Sequence, residues 1–586
     1  MPTARRIPRS EHPRPQLQRP AWLCLNGPWD FGVDAGGNGE ALGWASRPDL
    51  PERIVVPFCP ESRLSGLARR EFMPQVWYAR TFTVPAEWRH RRVLLHFGAV
   101  DYEATVWVNG HKAGFHRGGY TPFALEITQH VRRGANLLVV RAVDDTRSKR
   151  QPSGKQSERF ESHGCLYTRT TGIWQTVWLE AVGRSYVRNV RLLGDPAGGR
   201  VHLTAVIDSA HSGLTLTARA LAGRRVVGTA SASPIGAAAA CTIALNHVRR
   251  WDLDDPFLYG LELTLRDGDE IVDEATGCFG LRTISLAPPA ILLNDRPVFQ
   301  RLVLDQGFYP AGVYTAPRDA DLKRDIALSQ ELGFNGARLH EKVFEERFLH
   351  HADRMGYLVW GEYADWGIDR GDGEAWRRIG AEWVDVIARD FNHPCIVGWC
   401  PCNEGTARPD PQMQTDVIDM IRALDPTRPV IDSSGYYHYG RPDVYDCHDY
   451  DQDPRTFAAR HAAFAAGGEP VYNHPGQDPY AGQPFILSEY GGIWWNPGQK
   501  TDDGSWGYGA RPKSRAEFIE RYRGLTTALL KHPRMAGFCY TQLTDVEQEV
   551  NGLLTFARKH KFDPEVIAKI NRQAAAIEKG NPACKT

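Results

Sequence analysis

Two glutamates in this chain stand where short apolar runs end. FNHPCIVGWCPCNE closes on Glu404, and PFILSEYGG carries Glu489 at its centre. Each run is about one β-strand long, so each delivers a carboxylate to a strand end. Two opposed carboxylates, one protonated and one ionised, are what cleavage of a glycosidic bond needs. The first reading is therefore sugar hydrolysis, with no organic cofactor and no metal. A C-x-C pair such as Cys400 and Cys402 in an extended strand lacks the usual zinc spacing, so these two cysteines, with His393 nearby, read as buried structural groups. His350, His351 and His438 read as surface helix and loop residues.

The elements that must position these glutamates follow from periodicity. The first 20 residues are rich in proline and charge and read as a disordered or surface-draped leader. Residues 21–184 alternate apolar and polar positions in VWYARTFTV, RRVLLHF and YEATVWVNGHKAGF, with Asn109-Gly110 as a hairpin turn, and predict an all-β sandwich. Residues 185–286 contain further short strands separated by Gly, Asp and Pro turns, as in an immunoglobulin-like β-sandwich. Across 287–586 the pattern changes to helices alternating with short apolar strands, which predicts a (β/α)8 TIM barrel. Catalytic groups in such barrels stand at the C-terminal strand ends, where Arg338, His340, Glu362, Asn403, Glu404, His448, Tyr450, Glu489 and Gln542 fall. Trp366, Trp494, Trp495 and Tyr540 are aromatic candidates for stacking on a sugar face, with core packing as the alternative for each, and Trp399 reads as core.

Composition narrows the partners. Lys+Arg and Asp+Glu number 70 each, so no charge excess points to nucleic acid, an anionic membrane or a polyanionic substrate. The start lacks the apolar core of a secretory signal, no window is apolar enough to span a membrane, and eleven cysteines form no disulfide-framework pattern. A soluble, cytoplasmic protein with reduced thiols is the expectation.

LNGPWDFGVD (25–34), VWVNGHKAGFHRGGYTPF (106–123), TGIWQTVWLE (171–180) and RDFNHPCIVGWCPCNE (389–404) resemble glycoside hydrolase family 2, the β-galactosidase, β-glucuronidase and β-mannosidase group, and the likeness extends over nearly everything from residue 22 onward. The resemblance implies a retaining exo-glycosidase in which Glu404 is the general acid/base and Glu489 the nucleophile. It also implies that residues 21–184 form a sugar-binding-like β jelly-roll, that Asn403 binds the sugar 2-hydroxyl, that Tyr450 hydrogen-bonds the nucleophile and that Arg338 keeps it ionised. Family members are often oligomers, which makes a homo-oligomer an open expectation.

The chain departs from the family in three places. The first barrel strand reads RLVLDQGFYP, placing Asp305 and Gln306 where several members carry Gly-Val-Asn-x-His; Asp305 is taken as a subsite residue. His340 lies two residues after Arg338, against three for the family histidine. No lysine lies between Tyr540 and Phe556, where β-glucuronidases place the Asn-x-Lys that holds the substrate carboxylate. The expectation is hydrolysis of a small neutral glycoside, a β-D-galactoside first. The alternatives are a furanosidase (β-galactofuranosidase or α-L-arabinofuranosidase), a transglycosylase, or a carbohydrate-binding protein without catalysis. Arg338, His340, Tyr450, His448, Asp305, Glu362, Trp494, Asn403 and Gln542 are the expected substrate contacts.

Overall fold

The computed structural model describes residues 7–406, 411–496 and 504–579. Three layered units follow one another. In the first, a six-stranded antiparallel sheet faces a four-stranded one, the architecture of a jelly-roll. Alternation does the work here: Trp29 and Phe31, Val93 and Leu95, and Leu138 and Val140 all point into one buried core. The turn between strands Glu103–Val108 and His111–Arg117 has φ of 51° at Asn109 and 82° at Gly110, the left-handed pair that a two-residue hairpin needs.

The second unit packs a three-stranded sheet on a four-stranded one, seven strands in the immunoglobulin-like manner. Its core also takes Leu17 from the leader. The leader is thus not disordered over its described part. Gln18 bridges to Thr276 through backbone hydrogen bonds of 2.7 and 2.9 Å, and Arg19 reaches Asp273 and Glu180. Arg9 reaches Glu345 and the carbonyl of Ala316. Apolar residues are sparse in this segment, but one leucine and two buried arginines suffice to tie it down.

The third unit is the barrel. Its strands are β1 (Gln300–Asp305), β2 (Gly336–Leu339), β3 (Leu358–Glu362), β4 (Ile396–Cys400), β5 (Ser434–Tyr436), β6 (Tyr445–Asp449), β7 (Phe485–Tyr490) and β8 (Met535–Tyr540). Seven of them form one parallel sheet in the order β4-β3-β2-β1-β8-β7-β6. The fifth place is filled irregularly: the chain before β5 bonds β4 through Trp399 N–H to Pro429 O, and β5 pairs with a short strand, Asn403–Gly405. The helices cover the ring because their apolar residues share one face. In the helix Gly373–Asp390 these are Trp376, Ile379, Trp383, Val386 and Ile387, at helical spacing. Among the described residues no helix is long and apolar enough to cross a membrane, and ten cysteines are free thiols.

If the leader is part of the fold, Leu17→Ala will lower stability by about 2–5 kcal/mol, the usual cost of emptying a buried leucine site. Urea unfolding measures it. A change below about 0.5 kcal/mol would mean that the leader is only draped on the surface.

Candidate active site

At the C-terminal end of the barrel one guanidinium organises the polar groups. Arg338, at 2% exposure, leaves β2 and donates Nε to Glu362 of β3, Nη1 to Glu489 of β7 at 2.7 Å and Nη2 to the amide oxygen of Asn403 at 2.6 Å. Strand geometry makes this convergence natural, since neighbouring parallel strands bring their last side chains to one rim. Glu362 also accepts His340 Nδ1 at 2.9 Å and the Glu341 N–H at 3.0 Å, so both of its oxygens are engaged by the protein. Burial, with Lys155 and Arg338 nearby, holds the His340 pKa well below its ordinary value, leaving a neutral ring.

Glu489 is buried and accepts the phenol of Tyr450 on its second oxygen. Burial alone raises a carboxyl pKa, but His448, Arg338 and the Tyr450 hydrogen bond overcome it and hold Glu489 well below the usual range. Burial dominates instead at Glu362, whose pKa is raised despite Arg338. Tyr450 is itself fixed, its ring stacked on Tyr508 with centroids 3.5 Å apart and planes 3° from parallel.

Glu404 is more open, with 22% of its side chain exposed. Its φ of 49° is left-handed, a conformation costing a non-glycine residue roughly 1–2 kcal/mol. Clamps hold it there. Arg370 donates to the carbonyls of Asn403 at 2.6 Å and Glu404 at 3.0 Å, and the Asn403 N–H bonds Asp365 at 2.8 Å. A carboxylate oxygen of Glu404, a ring nitrogen of His448 and a carboxylate oxygen of Glu489 all lie within 4.8 Å of one another.

Eight of the residues singled out from sequence thus meet in one site: Arg338, His340, Glu362, Asn403, Tyr450 and Glu489 share one hydrogen-bonded network, and the Glu404–His448 pair joins it through the 3.5 Å contact of His448 Nε2 with Glu489. Three stand apart from it. Asp305 accepts the Gly307 N–H at 2.9 Å, and its pKa is raised to about 6 by burial and by Asp325. Gln542 donates to Asn551. Trp494 is half-buried against Gly507. Of the other aromatics, Tyr540 and Trp495 are buried, and Trp366 lines a cavity of about 310 Å³ beside Glu404. His438 is not on the surface. It is 1% exposed and bonds Asp432 at 2.6 Å, because a buried carboxylate there needs a donor.

The jelly-roll supplies what the barrel motifs do not announce. Ser153 and Gly154 donate backbone N–H groups to Trp366 O, and Trp506 and Gln548 donate to Gly164 O. This places Lys155, 5% exposed, with its ammonium 3.6 Å from the Trp366 ring centroid. It also places Tyr167 to donate to Glu549 at 2.5 Å, while Asn551 donates to the other Glu549 oxygen. The only signal in the sequence was the short polar stretches SGKQS and VEQEVNG, which carry no periodicity.

Three family models match in series: glycosyl hydrolases family 2, sugar binding domain, over 64–177; glycosyl hydrolases family 2 over 197–282; and glycosyl hydrolases family 2, TIM barrel domain, over 316–524. A β-galactosidase of Thermoanaerobacter pseudethanolicus is 29% identical over 366 residues, covering 60% of this chain and 48% of that protein. A β-glucuronidase of Paenibacillus borealis is 25% identical over 447 residues, covering 69% and 72%. The chain therefore spans about half the length of the first relative and under three-quarters of the second. A β-glucuronidase from Ruminococcus gnavus, solved with D-glucuronic acid, superposes with a TM-score of 0.79 at 20% identity over 94% of this chain and 98% of that one, which establishes a common fold.

Replacing Arg338 by Met will raise the Glu489 pKa, since its nearest fixed cation is gone, and will cost about 3–5 kcal/mol because two buried carboxylates lose their partner. NMR titration of ¹³C-labelled glutamate measures the first and urea unfolding the second. An unmoved Glu489 titration would contradict the assigned role of Arg338.

Proposed function

The chain belongs to glycoside hydrolase family 2, and we propose that it is a retaining exo-glycosidase that removes a terminal, uncharged sugar by double displacement. The observation that carries this reading is the approach of the Glu404 and Glu489 oxygens to within 4.8 Å. Retaining sites hold their carboxyl groups about 5–5.5 Å apart, whereas inverting sites keep about 6.5–9.5 Å to admit a water between them.

The roles follow from the environments. Glu489, held ionised by Arg338, His448 and Tyr450, attacks the anomeric carbon. Glu404, half-open at the cavity, gives a proton to the departing oxygen. Once the glycosyl ester forms, the Glu489 charge is gone, and Glu404 takes a proton from the water that hydrolyses the ester. Arg338 occupies the amide oxygen of Asn403, which leaves the NH₂ as donor to a sugar hydroxyl. Such a bond strengthens as the ring becomes oxocarbenium-like.

The stretch from Tyr540 to Phe556 offers no lysine to pair a substrate carboxylate, which supports an uncharged sugar; Glu549 within it is buried near Glu489, its pKa raised by burial, and is held by Tyr167 and Asn551. The first-named relative, a β-galactosidase, makes a β-D-galactoside the leading substrate; the relatives named β-glucuronidase make a glucuronide the competitor to test. Docking of the jelly-roll loop onto the barrel mouth supports a pocket that takes a chain end.

A panel of nitrophenyl glycosides (β-galactopyranoside, β-glucuronide, β-mannoside, β-galactofuranoside and α-L-arabinofuranoside) identifies the sugar, and ¹H NMR of the first-formed anomer gives the stereochemistry. Retention is expected, with hydrolysis abolished in Glu489→Ala. Glu404→Ala should slow substrates with poor leaving groups about 10²–10⁴-fold and recover with azide as nucleophile. An inverted product, or full activity in Glu489→Ala, would overturn the reading.

A further inference from the structure

His448 connects the two glutamates, and its hydrogen bonds say which nitrogen is free to exchange a proton. Its Nδ1 lies 3.0 Å from a Glu404 oxygen. Its Nε2 lies 3.1 Å from Ser434 Oγ and 3.5 Å from a Glu489 oxygen. Ser434 donates its own hydroxyl proton to Asp446, whose same oxygen also accepts the Gly435 N–H and the Ser488 hydroxyl. Ser434 Oγ can therefore only accept from the imidazole, so Nε2 carries a hydrogen in every state. The variable proton belongs to the Nδ1–Glu404 contact.

The ring has little freedom to leave this position. Asn473 accepts the His448 N–H at 2.9 Å and donates to its carbonyl at 2.8 Å, and Gly435 packs directly against the imidazole. The Tyr436 ring stands edge-on, 5.9 Å away. The charged and titratable groups around it are Glu489 and Glu404, which favour the imidazolium, Arg338, which opposes it, and the neutral His340, while Asp446 is reached only through the Ser434 hydroxyl.

We propose that His448 is a proton-holding partner of Glu404, so that the proton delivered to the leaving group is shared between Glu404 Oε1 and His448 Nδ1. This rests on Glu404 acting as the acid/base. As the C1–O bond breaks and Glu489 forms its bond to C1, the one shared proton, drawn from Nδ1 onto the Glu404 carboxyl, passes to the departing oxygen and leaves Glu404 as a carboxylate beside a neutral imidazole. In the second half, water adds to C1, its proton returns through Glu404 to Nδ1, and Glu489 leaves as a carboxylate. Loss of the Glu489 charge in the ester removes an anion that stabilises the imidazolium, so the pair then holds its proton less tightly. Burial works against a charged ring, and the facing carboxylates outweigh it, which raises the His448 pKa.

Two measurements on the full chain decide this. In ¹⁵N-histidine NMR, Nε2 of His448 should stay protonated across the titration while Nδ1 changes, and Glu404→Gln should move that change down by at least about one pH unit. This arm needs no turnover, so it tests the inference even if no glycoside is cleaved, an outcome that would instead count against the glycosidase reading. In kinetics, His448→Asn should move the alkaline limb of kcat/KM toward acid by about one pH unit and slow a poor leaving group roughly 10–100-fold. A 2,4-dinitrophenyl glycoside, whose leaving group needs no proton, should stay within about threefold. An Nδ1 titration indifferent to Glu404→Gln, or equal losses on both substrates with an unmoved limb, would reduce His448 to a packing residue.

Discussion

Burying one guanidinium at the mouth of the barrel constrains much of this site. An arginine at 2% exposure is tolerable only if its donors find anions and carbonyls, and Arg338 finds two carboxylates, the Asn403 amide oxygen and the Ser488 carbonyl. Those partners come from β3, β7 and the segment after β4, so satisfying Arg338 also sets the relative positions of Glu362, Glu489 and Asn403. The two carboxylates do not share the cation equally. Glu489 receives His448 and Tyr450 as well and is driven down, while burial drives Glu362 up. A single cation thus helps to give one site two carboxyl groups of different affinity for a proton.

The second constraint is the seam between jelly-roll and barrel. Two glycines permit the approach, both at positive φ: a Cβ on Gly154 would stand 2.2 Å from the Glu341 carbonyl, and one on Gly367 would stand 1.9 Å from Ser153 Oγ. Because the backbones meet so closely, Lys155 and Tyr167 act as part of the barrel's own rim. Glu549 and Asn551, with no regular strand or helix around them, take their places from this seam.

How much of this was legible in the sequence depended on how local the determinant was. Glu404 and Glu489 could be found because a strand of four to six apolar residues ending in a charge is a local pattern, and the barrel rule converts strand ends into one rim. The jelly-roll, the sandwich and the helices facing the barrel were likewise carried by alternation and 3.6-residue spacing. What escaped was set by contacts across long separations. The leader looked polar, yet Arg9, Leu17 and Arg19 find partners more than 150 residues away. His438 looked like a loop residue, yet its loop folds inward onto Asp432 and Asp446. Tyr540 and Trp366 are both aromatics near strand ends, and only the packed structure separates the buried phenol from the indole that faces a cavity.

The proposed double displacement requires a covalent bond between Glu489 and the sugar. The most direct measurement is mass spectrometry of peptides after incubation with an activated 2-deoxy-2-fluoro glycoside of whichever sugar is hydrolysed. A single stoichiometric label is expected on the peptide containing Glu489, and none in Glu489→Ala. Label on Glu404, or steady hydrolysis without any trapped adduct, would contradict it.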